Sequence, residues 1–269
     1  TVNVTNVNDV APEFTSNATF SAEENQTAIG TVTATDAEGD DVTFTVSGSE
    51  LSITSAGVLT FATAPDYETK TSYTATITAN DGVNSTNQNI TVNITNVNDV
   101  APEFTSAATL SGAENQTAIG TVTASDVEGD DITFTISGSE LEITPSGVLT
   151  YAEAPDYETV TSFEAIVTAS DSINSTTQDI TVNVINENDN DPVFTSSEVL
   201  NGDENQTAIG TITATDADGD DVTFSISGSD LAITSDGVLT FISEPDYESV
   251  QSYSAVVTAS DGERTVDQS

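Results

Sequence analysis

Pro12-Glu13-Phe14 returns as Pro102-Glu103-Phe104 and again as Pro192-Val193-Phe194. Asp66-Tyr67-Glu68 keeps the same interval and returns at 156–158 and 246–248. A period of 90 residues is too long for one turn of a solenoid and suits an independently folding domain. The chain therefore reads as a domain array. An array spans distance and presents surface, with its geometry set at the joints.

Within each copy, apolar residues alternate with period two, the mark of half-buried strands. The first copy shows Val42, Phe44 and Val46, then Leu59 and Phe61, then Tyr73, Ala75, Ile77 and Ala79, then Ile90, Val92 and Ile94. Threonine and serine fill the outward positions, where a stiff β-branched side chain suits a strand. No segment has helical spacing. Turn signals at Gly39-Asp40, Gly48-Ser49, Ala56-Gly57 and Asp81-Gly82 divide each copy into about seven strands. That count predicts an all-β chain of three tandem immunoglobulin-like Greek-key sandwiches. The expected boundaries are 10–99, 100–189 and 190–269, with 1–9 as the last strand and linker of a preceding repeat or a neighbouring subunit. The joints at 96–102 and 186–192 are short, polar and closed by Pro102 and Pro192. Proline restricts itself and the residue before it, so these joints read as stiff couplings and predict an extended rod.

Charge limits the partners. Two basic residues, Lys70 and Arg264, stand against 45 acidic ones, for a net charge of −43. Nucleic acid requires basic patches, and anionic membranes repel such a surface. Self-repulsion of this size disfavours a compact state unless cations bind. With no cysteine and no histidine, thiol chemistry and the usual zinc ligands are missing. No run of 18 apolar residues is present for membrane insertion.

The acids recur at fixed places: Glu24, Asp36-x-Glu38, Asp66-x-Glu68, Asp81 and an Asn-x-Asn-Asp linker, each with its copies. They fall in turns and at strand ends. Carboxylates, amides and carbonyls are hard oxygen donors, and calcium takes six to eight of them in flexible geometry. A glycosidase also needs paired carboxylates, but it has one pair in a cleft rather than the same acids at every boundary. No nucleophile lies beside a base, so an enzyme is not expected.

Over essentially its whole length the chain resembles the cadherin repeat family. The family's D-x-N-D-N-x-P linker is matched by Asn186-Glu187-Asn188-Asp189-Asn190-Asp191-Pro192. Its Glu-Asn element is matched at Glu24-Asn25, Glu114-Asn115 and Glu204-Asn205, and its A-x-D-x-D element at 34–38 and 214–218. Its D-x-E element is the Asp-Tyr-Glu triad, and its late A-x-D-G is Ala259-Ser260-Asp261-Gly262. The resemblance implies two or three calcium ions per joint. It implies a first site of Glu24, Asp66, Glu68, Asn96, Asn98, Asp99, the Val100 carbonyl, Asp126, Glu128 and Asp171. A second would use Glu114, Asp156, Glu158, Asn186, Asn188, Asp189, Asn190, Asp216, Asp218 and Asp261. The chain departs from the family at the first linker position, which is Asn, and at Glu38 and Glu128, which stand for Asp.

The resemblance is nearest to cadherin-like tandem repeats of large bacterial surface adhesins, as in Ala214-Thr215-Asp216-Ala217-Asp218-Gly219-Asp220-Asp221. It implies an extracellular structural or adhesive array, in a longer chain of the same repeats or self-associated head to tail, with a surface glycan or protein as ligand. The first four residues, Thr1-Val2-Asn3-Val4, match the last strand of a repeat, which the third repeat lacks. A boundary within a longer array explains this; the sharper reading is donor-strand exchange of residues 1–9, which would rebuild a site from Glu204, Asp246 and Glu248 with Asn6, Asn8, Asp9, Asp36, Glu38 and Asp81 of the next subunit. The alternative is a carbohydrate-binding module array, which needs an exposed aromatic platform. Aromatics are only 6%, and the orientation of Tyr67 and its copies decides between the two.

Overall fold

The alternating stretches of the first repeat become strands, with Val42 just before the one that holds Phe44 and Val46. A computed structural model describes residues 1–269 and contains strands and turns with no helix. In the first repeat the strands are β1 (Glu13–Phe14), β2 (Thr19–Glu23), β3 (Ala28–Thr31), β4 (Ala34–Thr35), β5 (Thr43–Val46), β6 (Leu51–Ile53), β7 (Val58–Phe61), β8 (Ser72–Asn80) and β9 (Ser85–Thr95). One sheet runs β2-β9-β8-β5 and the other β3-β7-β6, with β1 and β4 as a small extra pair. The seven expected strands thus appear as nine segments. The first strand is broken into β1 and β2, and the second into β3 and β4. At the second break Val32 leaves the ladder to donate its N–H to Gly57 O at 2.8 Å.

Two contacts close the sandwich. β2 runs parallel to the end of β9, with Phe20 opposite Val92 and Ala22 opposite Ile94. β8 pairs antiparallel along nearly all of β9, so Tyr73 also faces Val92. The inward residues Leu59, Phe61, Ile77, Ala79, Ile90, Val92 and Ile94 form one buried core. Gly57 has φ +87°, and a Cβ there would sit 2.2 Å from Val32 O, so the turn before β7 requires glycine.

The chain packs as two compact units. The first holds Thr1–Glu103 with two loops of the second repeat, Ala124–Thr133 and Ala169–Thr176. The second holds Phe104–Thr123, Phe134–Thr168 and Thr177–Ser269. In that second unit Thr109–Ala113 lies parallel to residues 181–185, repeating the β2–β9 contact. The third repeat differs. Its strand Thr265–Gln268 pairs with Val257–Ser260, and residues 199–203, the counterpart of β2, form no strand. Leu231 there is only half-buried, although its counterparts Leu51 and Leu141 are 4% and 3% exposed. No helix is long and apolar enough to cross a membrane.

Candidate metal centre

β2 delivers Glu24 to the end of the first sandwich, where it is 3% exposed. One carboxylate oxygen accepts the Tyr67 N–H at 2.6 Å and the other accepts the Val97 N–H at 2.8 Å. Glu24 therefore ties the Asp-Tyr-Glu loop and the linker to the same point. Asn25 follows with φ 60°, and its side-chain amide donates to Asp99. Asp66 caps its own turn by accepting the Thr69 hydroxyl at 2.8 Å. That hydrogen bond holds Asp66 below the ordinary carboxylate range.

The second-repeat loops of the same unit complete the arrangement. Asp126 Oδ1 accepts the N–H groups of Glu128 at 2.8 Å, Gly129 at 3.1 Å and Asp130 at 3.3 Å. Glu128 turns its carboxylate to the linker and accepts the N–H of Asp99 at 3.2 Å and of Val100 at 3.0 Å. Asp171, 4% exposed, accepts the N–H groups of Ile173 and Asn174 at 2.8 and 2.6 Å. Burial alone would raise Asp171, but those bonds and the amides of Asn98 and Asn174 outweigh it and hold the carboxyl low.

Carboxylate oxygens of Glu24, Glu68, Asp99 and Glu128 lie within 4.8 Å of one another. Burial, helped by the charges of Glu24, Glu128 and Asp66, pushes Glu68 up. The protein supplies no cation there: Lys70 pairs with Glu50. Three oxygens, Glu68 Oε1, Asp126 Oδ2 and Asp171 Oδ2, are shielded from solvent and have no hydrogen-bond partner. Unpaired buried anionic oxygens are costly. Their donor set is all oxygen and suits a hard cation, calcium before magnesium.

The second unit repeats the geometry. Glu114, 2% exposed, accepts the N–H groups of Tyr157 at 2.7 Å and Glu187 at 2.8 Å. Glu114, Glu158, Asp189 and Asp218 bring their oxygens within 4.8 Å. Asp218 Oδ2 accepts the N–H of Asp189 at 3.0 Å and of Asn190 at 2.8 Å, and the Asn186 amide donates to Asp218 O at 2.8 Å. Asp216 Oδ2, Asp261 Oδ2 and Asn188 Oδ1 are shielded and unpartnered. Asp156 caps its turn through Thr159 at 2.9 Å. Here a protein cation does approach: Arg264 donates to Asn188 O at 3.4 Å and pairs with Asp191 at 3.5 Å.

Further acidic groups lie in the first and third repeats. Glu38 accepts the N–H of Asp9 at 3.0 Å and of Val10 at 3.2 Å, and its carbonyl takes the Asn6 amide at 3.4 Å. Asn8 Oδ1 accepts the Asn84 amide at 2.8 Å. Asp36 Oδ2 and Asp81 Oδ2 are shielded and unpartnered. In the third repeat Glu204, Asp246 and Glu248 converge but are exposed.

Sequence reasoning missed several participants. Asp40 groups with Asp36 and Glu38, and Asp130 with Asp126 and Glu128. The signal for them is the glycine-then-acid step at Gly39-Asp40 and Gly129-Asp130, which by itself marks only a turn. Asn25, Asn84 and Asn174 hold the linkers through side-chain amides. Tyr67 packs against the core and Tyr157 is half-buried, so these rings form no exposed sugar-binding row. Tyr247 is 56% exposed.

No family model matches the chain. It is 29% identical over 301 residues to human Protocadherin Fat 4, covering 96% of this chain and 6% of that protein. It is 31% identical over 168 residues to Cadherin-99C of Drosophila melanogaster, covering 56% of this chain and 10% of the relative. Mouse Cadherin EGF LAG seven-pass G-type receptor 2 is 33% identical over 194 residues, 64% of this chain and 7% of the relative. The chain thus spans 6% to 10% of the length of the curated relatives it matches. Mouse Cadherin-23 EC22-24 has a TM-score of 0.67 at 20% identity, covering 96% of each chain. A Protocadherin gammaB7 EC3-6 cis-dimer structure has a TM-score of 0.73 at 20% identity, covering 97% of this chain and 77% of its own. The repeats are cadherin-like β-sandwiches in tandem. The relatives are named as cadherins, and none of those names describes an enzyme.

Proposed function

We propose that this chain is part of an extracellular, calcium-stiffened repeat array that extends or builds a cell-surface adhesin or filament of bacterial type. The observation that carries the reading is the convergence of Glu24, Glu68, Asp99 and Glu128 with oxygens left shielded and unpartnered on Glu68, Asp126 and Asp171. Shielded carboxylate oxygens without partners call for a cation. Glu24, Asp66, Glu68, Asn96, Asn98, Asp99, Val100 O, Asp126, Glu128 and Asp171 would hold calcium at the first joint, with two or three ions. Glu114, Asp156, Glu158, Asn186, Asn188, Asp189, Asn190, Asp216, Asp218 and Asp261 would hold it at the second.

Calcium supplies positive charge that the chain lacks. The residues do the rest. Glu24 and Glu114 fix the linker to the upper sandwich, while Glu128 and Asp218 fix it to the loops below. Bridging carboxylates from both sides makes the linker a lock. Without the ion the same carboxylates repel, so the joint loosens. The array continues in a longer chain of the same repeats or by head-to-tail association of copies, and either extends it without new chemistry. A carbohydrate-binding array is not favoured, because Tyr67 packs on the core.

The test is a calcium titration followed by small-angle scattering and thermal unfolding. Calcium is expected to raise the unfolding temperature and lengthen the maximum dimension. Affinity is expected at about 10⁻⁵–10⁻³ M, towards the weak end of calcium sites, because Asn replaces one carboxylate per linker. Identical scattering and unfolding in calcium and in chelator would contradict the reading.

A further inference from the structure

The turn after the late aspartate carries Asn84 in the first repeat, Asn174 in the second and Arg264 in the third. In the first unit Asn174 donates its side-chain amide to Asn98 Oδ1 of the linker at 2.6 Å. That contact joins two neutral groups. At the matching place in the second unit, Arg264 donates its Nε–H to the main-chain oxygen of Asn188 at 3.4 Å and its Nη1–H to Asp191 Oδ1 at 3.5 Å. Asp191 stands where the other linkers have Ala11 and Ala101. The repeat that exchanges amide for guanidinium thus also exchanges alanine for an anionic partner.

The backbone beneath Arg264 is pinned. Asp261 Oδ1 accepts the N–H groups of Glu263 at 2.8 Å and of Arg264 at 2.7 Å. A guanidinium presents its donors in a rigid planar fork, so one side chain serves both linker acceptors. No other positive side chain reaches this joint. The chain has two basic residues, and the other, Lys70, pairs with Glu50.

We propose that Arg264 is a resident counter-ion of the second joint, fastening linker residues 188–191 to the third repeat when no metal ion is bound. The first joint lacks such a charged hold. Both linkers also bond a carboxylate from below, Glu128 at the first joint and Asp218 at the second. Each of those carboxylates belongs to an acidic group, so each carries the repulsion that a metal ion would cancel. Arg264 acts in the opposite sense, because it brings charge of the ion's own sign. The two joints therefore respond unequally to loss of calcium: the first loosens, and the second keeps part of its order. The inference deepens the calcium reading and rests on it only for the comparison between media.

The experiment is amide hydrogen exchange of the full chain, read residue by residue by NMR, in chelator and in calcium. The intact chain is compared with Arg264→Asn. Asparagine is what the other two repeats carry at this position, so the variant is expected to keep the fold. The side chains of Arg264 and Asp191 are 42% and 61% exposed, so a modest effect is expected. In chelator, exchange at Asp189 and Asn190 should speed up about two- to fivefold, with Asp99 and Val100 of the first linker unchanged. Asn174→Arg with Ala101→Asp moves the pair to the first joint and is expected to slow Asp99 and Val100 by a similar factor. In calcium both effects are expected to disappear, since the ion then holds the linker. Unchanged exchange at Asp189 and Asn190 in chelator overturns the proposal, as does equal acceleration at both linkers. An Arg264→Asn effect of the same size in both media supports the counter-ion and contradicts the calcium reading, which keeps the two failures apart.

Discussion

Replacing Glu24 by Ala tests how the joint is held. Glu24 is 3% exposed and accepts two backbone N–H groups, from Tyr67 at 2.6 Å and Val97 at 2.8 Å. A hydrogen bond to a charged group contributes about 1.5–3 kcal/mol, so the two together contribute about 3–6 kcal/mol. With calcium present the variant also loses a ligand, and the loss is expected in full. A domain of this size shifts by about 4–8 °C per kcal/mol, so the first transition should fall by at least about 12 °C. In chelator the sign of one contribution reverses. Glu24 then sits within 4.8 Å of the carboxylates of Glu68, Asp99 and Glu128, and removing it relieves repulsion. The drop in chelator is therefore expected to be clearly smaller than the drop in calcium. Glu204→Ala is the internal control: its carboxylate is exposed and bonds the Tyr247 N–H alone, at 3.2 Å. Its effect is expected below about 1 kcal/mol, as for an ordinary surface substitution. Calorimetry in both media reads all four values. Equal effects of Glu24→Ala and Glu204→Ala, or an effect of Glu24→Ala indifferent to calcium, would refute the reasoning.

Asp171→Asn keeps the acceptor for Ile173 and Asn174 but removes the charge of a shielded, unpartnered oxygen; calcium binding at the first joint should weaken about tenfold or more while the second is unchanged, read by titration calorimetry beside Asp261→Asn. Gly112 leaves room for Tyr151, whose hydroxyl bonds Gly112 O at 3.3 Å, and an added Cβ would meet the ring at 2.9 Å. Gly112→Ala should therefore cost about 1–3 kcal/mol by overpacking. Gly112→Ala with Tyr151→Phe recreates the Ala22 and Phe61 pair of the first repeat and should recover most of that loss in urea unfolding. Gly57→Ala should destabilise the first repeat by more than the roughly 1 kcal/mol typical of a substitution, because the new Cβ meets a backbone oxygen at 2.2 Å; thermal unfolding checks it.

The strands were legible because alternation is a local property. The pattern at Tyr73, Ala75, Ile77 and Ala79 places β8, and that at Ile90, Val92 and Ile94 places the buried half of β9. The breaks were not legible. Nothing near Val32 shows that its N–H will leave the ladder for Gly57 O, a partner supplied by a distant turn. The candidate site divides in the same way. Recurrent spacing singled out Glu24, Asp66, Glu68, Asp99, Glu128 and Asp171. It did not show that Glu24 would be buried and bonded at both oxygens, since those donors come from residues 67 and 97. Asp40 and Asp130 follow turn glycines in the sequence, and only the folded loop brings them beside Asp36 and Asp126. The amides of Asn25 and Asn174 reach linkers more than 70 residues away in the chain.

Calcium titration of the intact chain by isothermal calorimetry tests the central claim most directly. The account predicts saturable binding of two or three ions at each complete joint, within about 10⁻⁵–10⁻³ M, with magnesium a poor substitute. A titration indistinguishable from dilution, or one that magnesium reproduces at the same concentration, would contradict it.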